Sequence, residues 1–104
     1  MFKTEKVKFD DKVSLHVYMW LPNDQNNIKG TVQLAHGMSE HLGRYTKFAE
    51  YLNELGFVVI GADHYAHGLT CVDPFMVGVC QDYDFMDAVI ESIRLVRKTY
   101  SKYF

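Results

Sequence analysis

Between residues 31 and 63 the chain passes through strand, helix and strand with short connections, and that segment restricts the possible folds more than any other. Thr31 to Ala35 is short and mostly apolar, the pattern of a strand covered on both faces. Residues 44–55 have a helical period: Tyr45, Phe48, Ala49, Leu52 and Leu55 fall on one stripe, with Lys47, Glu50 and Glu54 outside it. Gly56 follows where a left-handed residue ends a helix. Phe57 to Asp63 then reads as a buried strand. A strand–helix–strand unit of this kind implies parallel strands joined by a right-handed crossover.

The flanking sequence extends the pattern. Residues 2–9 and 12–21 read as a hairpin turned at Asp10-Asp11. In its second arm Val13, Leu15, Val17 and Met19 alternate with Ser14, His16, Tyr18 and Trp20, which predicts one face more buried than the other and His16 on the solvent side. Residues 22–30 are a loop rich in Pro, Asn, Asp and Gly. Residues 64–82 are irregular, broken by Gly68, Pro74 and Gly78. From about Asp84 a long helix is predicted on a stripe of Phe85, Met86, Val89, Ile90, Ile93, Val96 and Tyr100, with Asp82 or Asp84 as its N-cap. Arg94, Arg97, Lys98 and Lys102 near its end suit the negative pole of the helix dipole.

The predicted order is β-β-β-α-β-α, an α/β class chain in one domain, 1–104, with no repeat or linker. A parallel sheet normally carries helices on both faces, so a further strand is expected after the second helix, and the sheet reads as incomplete.

Composition narrows the function. The net charge of −2 supplies no basic field for a phosphate backbone, which argues against nucleic acid as a partner. Seven Phe, seven Tyr and one Trp argue for a packed core over disorder. The first residues hold no apolar run, and the apolar stretch Phe57 to Ala62 is too short to span a bilayer. Cys71 and Cys80 are expected to be reduced thiols, consistent with a cytoplasmic location.

Two segments carry chemistry. Ala35-His36-Gly37-Met38-Ser39-Glu40-His41-Leu42-Gly43-Arg44-Tyr45 follows the first strand of the unit, and Gly61-Ala62-Asp63-His64-Tyr65-Ala66-His67-Gly68-Leu69-Thr70 ends the second. Ligands bind at such strand ends in open α/β sheets. Gly37 permits a sharp turn, and a free N–H at Met38 is suited to stabilising a developing oxyanion.

With these two segments in this order, the chain resembles the monoacylglycerol lipase and lysophospholipase branch of the α/β-hydrolases, a serine aminopeptidase-like family. That branch carries HGxGEHxxRY, then GxxVxxxDxxGHGxS at a similar separation, and the closing FMDAVIESIRLVRKTY is similar to the family helix before the nucleophile strand. The likeness runs over essentially the whole chain. It implies a serine ester hydrolase acting on acyl-ester lipids, with no cofactor and no metal. It gives Met38 the backbone N–H of an oxyanion hole, and His36, Gly37, Met38 and Ser39 the substrate-facing loop. Glu40, His41, Arg44 and Tyr45 match the first motif and are expected to hold that loop against the next helix. Asp63, His67 and Gly68 match the second, structural turn. Ser39 stands where the family usually has Gly, Tyr65 and Ala66 replace the usual Arg-Gly or similar pair, and Thr70 replaces Ser.

The family's G-x-S-x-G nucleophile elbow is expected to begin within roughly ten to fifteen residues of Phe104, and no such motif occurs in these 104 residues. The acid and base follow the nucleophile in chain order, so nucleophile, acid and base are all absent here, along with the cap and the C-terminal half. The expectation is an N-terminal hydrolase portion, inactive alone, that either associates through an open sheet edge or pairs with a complementary C-terminal chain. The alternatives are a non-catalytic interaction module, half of a split hydrolase, and a decayed reading frame. Ser39 lies one glycine short of an elbow and reads as a polar loop residue or helix cap. His64-x-x-His67 offers too few ligands for zinc, and the cysteines lack C-x-x-C spacing.

Overall fold

The structure, a computed structural model, describes residues 1–36, 41–64 and 85–104. Strand β1 (Phe2–Lys8) pairs antiparallel with β2 (Ser14–Trp20), in a register running from Phe2 opposite Trp20 to Lys8 opposite Ser14. Asp10 makes the turn: its Oδ1 accepts the N–H groups of Lys12 and Val13 at 2.8 and 2.7 Å. Strand β3 (Gly30–Leu34) leads to a 3-10 turn at Leu42–Tyr45 and helix α1 (Thr46–Glu54); strand β4 (Phe57–Ala62) follows, and helix α2 (Phe85–Thr99) ends near a 3-10 turn at Ser101–Tyr103. The sheet order is β1-β2-β4-β3, with β4 antiparallel to β2 and parallel to β3.

Two glycines explain why the unit closes. Gly56 ends α1 at φ +96°, and its carbonyl accepts the Lys29 N–H at 2.8 Å, tying the helix end to the start of β3. Gly61 lies where β3 crosses closest: a Cβ there would stand 2.5 Å from both the Leu34 carbonyl oxygen and Leu42 Cδ2.

The core has two layers. Leu15, Val17, Met19, Leu21, Val58, Ile60 and Ala62 pack with Val96 of α2 and Tyr100 just after it, while Tyr18, Trp20, Leu42 and Val59 pack with Ala49 of α1 on the opposite sheet face. On β2 the phase of Leu15, Val17 and Met19 is the more buried one, as the alternation predicts, but the other phase is covered too towards the strand end, and His16 is not on the solvent side. Tyr18 and Trp20, at the nominally polar phase, are buried because α1 covers that face, and His16 is half-buried with its ring edge-on to Tyr18 at 4.9 Å. Strand β3, expected to be covered on both faces, is half-buried at all five positions. It lies at the edge, and both helices sit chiefly over β4.

The helix stripes also differ. Phe48 and Leu55 of α1 are exposed, and the buried contact is made by Ala49 with Leu52 partly buried beside it. On α2 the buried line is Ala88, Ser92, Val96 and Tyr100, whereas Met86 and Ile90 are exposed; the Phe85 side chain lies outside the described residues. Small residues set the closest approach of a helix to a sheet, and Ser92 can sit there because its hydroxyl donates to the Ala88 carbonyl at 2.9 Å. No described helix is long and apolar enough to cross a membrane.

Candidate functional site

Because β3 and β4 are parallel, their C-terminal ends reach the same sheet edge, and the two sequence motifs meet there. Asp63, just after β4, is fully buried. Its Oδ1 accepts the Leu42 N–H at 2.6 Å and its Oδ2 accepts the Tyr18 hydroxyl at 2.8 Å, while its own N–H donates to the His16 carbonyl at 3.0 Å. One carboxylate therefore joins β4, β2 and the turn that opens α1. Leu42 starts that turn, so the Asp63 bond satisfies one of the N–H groups a helical start leaves unpaired. Burial, reinforced by the hydrogen bond and charge of Asp63, pushes the ionisation of the Tyr18 phenol well above its ordinary range.

His36, beyond the end of β3, and His64, beyond Asp63, are 5% and 3% exposed. The His64 main-chain N–H donates to His36 Nε2 at 2.9 Å, and His64 Nε2 lies 3.2 Å from the His36 carbonyl oxygen. The rings are tilted with centroids 4.1 Å apart. A backbone N–H can only donate, so His36 Nε2 carries no proton.

The remaining candidates are distributed as follows. His41 and Arg44 are exposed at the 3-10 turn, and Tyr45 is half-buried against the α1 layer. The Arg44 N–H donates to the His41 carbonyl at 3.4 Å, and Thr46 Oγ1 donates to the Gly43 carbonyl at 2.8 Å. Gly37, Met38, Ser39, Glu40, His67 and Gly68 lie outside the described residues, as do Cys71 and Cys80. Among the described residues no group of three or more His, Cys, Asp or Glu could hold a metal ion.

Two participants were not singled out from sequence. Tyr18 sits at the polar phase of an alternating strand, and only its aromatic neighbour Trp20 hinted that this phase is covered. His64 drew attention only as half of a metal spacing, yet its main chain and ring both engage His36. A separate cleft of about 730 Å³ lies at the other end of the sheet, among Phe2, Trp20, Lys29, Asn53 and Gly56, away from both motifs.

The family model for serine aminopeptidase S33 matches residues 26–103. The chain belongs to this hydrolase family, and its partial sheet is that of an α/β-hydrolase. A monoglyceride lipase homolog of monkeypox virus is 32% identical over 72 residues, which is 69% of this chain and 25% of the viral protein. Protein K6 of vaccinia virus is 37% identical over 49 residues, 47% of this chain and 60% of that protein. Among solved structures, a thermostable carboxyl esterase from Bacillus coagulans in complex with glycerol superimposes with a TM-score of 0.82 at 30% identity, covering 97% of this chain and 32% of the esterase. The chain thus spans about a quarter to a third of the lipase homolog and the esterase.

Proposed function

We propose that these residues are the N-terminal portion of a serine ester hydrolase that acts on acyl esters of glycerol or lysophospholipids, and that they supply the loop carrying one oxyanion donor, the Met38 N–H. The observation that carries the reading is the bonded junction of Asp63, His64 and His36 at the C-terminal edge of two parallel strands, which fixes both ends from which the motif loops depart. The likeness to a carboxyl esterase and a monoglyceride lipase homolog supports the substrate class.

The chemistry then divides. A main-chain N–H held in place before reaction stabilises the negative charge that develops on an ester carbonyl oxygen. The nucleophile, its base and the orienting acid come from outside residues 1–104, as does the second oxyanion donor, which follows the nucleophile. Triad members act as a unit, so residues 1–104 alone leave ester hydrolysis at background. A Ser-His-Asp mechanism requires no cofactor.

The test is hydrolysis of p-nitrophenyl butyrate by the 104-residue chain, alone and mixed with the remaining segment of the Bacillus coagulans esterase, with a fluorophosphonate probe alongside. The expected result is no turnover alone, and turnover with a labelled serine in the added segment after mixing. Met38→Pro, which removes the N–H, then abolishes the gain. Turnover by the chain alone with Ser39 labelled, or a gain indifferent to Met38→Pro, overturns the reading.

A second reading is favoured by one finding: the 49 residues shared with vaccinia Protein K6 make up 60% of that protein, so a relative far shorter than the lipases exists. Under it the chain is a non-catalytic interaction module, half of a split hydrolase or a decayed reading frame. A downstream frame opening with G-x-S-x-G favours the split enzyme. A stop or frameshift after the Phe104 codon, followed by recognisable family sequence, favours decay.

A further inference from the structure

We propose that His64 is a positioning residue that clamps His36, and with it the strand end from which residues 37–40 depart, and that the clamp holds only while His36 is uncharged. The geometry is reciprocal. The His64 main chain donates to the His36 ring at 2.9 Å, and the His64 ring reaches the His36 main chain at 3.2 Å. Each residue thereby fixes both the backbone and the side chain of the pair. The two positions are 28 residues apart in sequence, so the pair is a long-range fastening between the loop after β3 and the loop after β4.

The two bonds respond differently to protons. His64 Nε2 donates to a carbonyl and continues to do so if its ring becomes charged. His36 Nε2 accepts from an N–H, so a proton added there puts two donors face to face. Charge on both rings at a 4.1 Å centroid separation adds repulsion. The fastening is therefore complete while His36 is neutral and lost as its ring takes up a proton. The titratable and charged groups around the pair, among the described residues, are Asp63 at the β4 end, whose oxygens accept from Leu42 and Tyr18, His16 of β2, edge-on to Tyr18, and His41 and Arg44 of the turn before α1, both exposed.

The consequence for catalysis rests on the proposed reading of residues 36–38 as the oxyanion loop; the clamp itself does not. It is tested on the 104-residue chain by nitrogen-15 NMR between pH 8 and pH 5, with cooperative unfolding measured in parallel to separate local opening from loss of fold. At pH 8 the His36 ring is expected to carry its proton on Nδ1. Protection of the His64 amide from exchange, corrected for the intrinsic rate, is expected to fall roughly tenfold, the loss of about one hydrogen bond, at the pH where the His36 ring nitrogens report protonation. His36→Gln supplies an acceptor of similar reach that does not titrate, and is expected to keep the amide protected at both pH values. His64→Phe keeps the ring shape and the main-chain N–H but loses the second bond, and lowers protection severalfold already at pH 8. A proton on His36 Nε2 at pH 8, protection unchanged once the His36 ring is protonated, or a His36→Gln chain that still opens on acidification overturns the proposal. None of these readings requires ester turnover, so failure here and failure of the complementation experiment are distinct results.

Discussion

Asp63 Oδ1 accepts the Leu42 N–H at 2.6 Å across 21 residues of chain, so the first turn leading into α1 is held by the end of the strand that follows the helix. The strand–helix–strand unit is fastened at its closing point by a buried carboxylate, and that point lies at the candidate site. Asp63→Ala leaves the Leu42 N–H and the Tyr18 hydroxyl without their acceptor. The expected cost is about 3 kcal/mol, read as a lower urea midpoint at unchanged slope. Asp63→Asn keeps one acceptor atom and is expected to cost less than half as much.

Alkaline pH probes the same junction from the tyrosine side. Burial, ahead of the hydrogen bonds to Asp63 and Glu5, holds the phenols of Tyr18 and Tyr100 protonated well beyond their usual range. The unfolded chain therefore releases these protons first, and stability that is fully present below about pH 10 falls as pH rises above it. In a spectroscopic titration at increasing pH, Tyr18 and Tyr100 are expected to ionise only as the chain unfolds. The double variant Tyr18→Phe with Tyr100→Phe is less stable at pH 7 but loses less further stability above pH 10.

Close approach at Gly61 gives a sharper test of the packing between β3 and β4. Gly61→Ala places a methyl group 2.5 Å from the Leu34 carbonyl oxygen, which is backbone and cannot rotate away. The expected loss is about 3 kcal/mol or more. Gly56→Ala suffers from its left-handed backbone instead, at φ +96°, and is expected to cost about 1–2 kcal/mol. Thermal melts of the two variants should rank in that order.

Strand β3 offers an edge built from Gly30, Thr31, Val32, Gln33 and Leu34, with no charge and no proline to discourage pairing. Sedimentation of a chain of these 104 residues is expected to show association that grows with concentration, and a sharply melting, monodisperse monomer contradicts it.

The strands and the Gly56 cap were legible because apolar runs and turn residues act locally. The helix stripes were legible in part: Ala49, Leu52, Val96 and Tyr100 are on the covered side, whereas the large Phe48, Met86 and Ile90 are exposed and the small Ala88 and Ser92, which the apolar pattern passes over, are buried. At the candidate site the positions of His36 and Asp63 followed from their strands. Their bonds did not, since Tyr18, Leu42 and His64 reach them across 21 to 45 residues of chain. Sequence distance hides such partners until the sheet order is known.

The order β1-β2-β4-β3 also sets a timetable for the chain as it leaves the ribosome. The hairpin of β1 and β2 can zip as soon as residue 20 is free, because its contacts are local. Strand β3 emerges next but has no hydrogen-bonded neighbour until residues 57–62 arrive to fill the slot between it and β2. During that interval an uncharged, apolar strand is exposed, and slow elongation just after Leu34 would lengthen its encounter with chaperones or with other nascent chains.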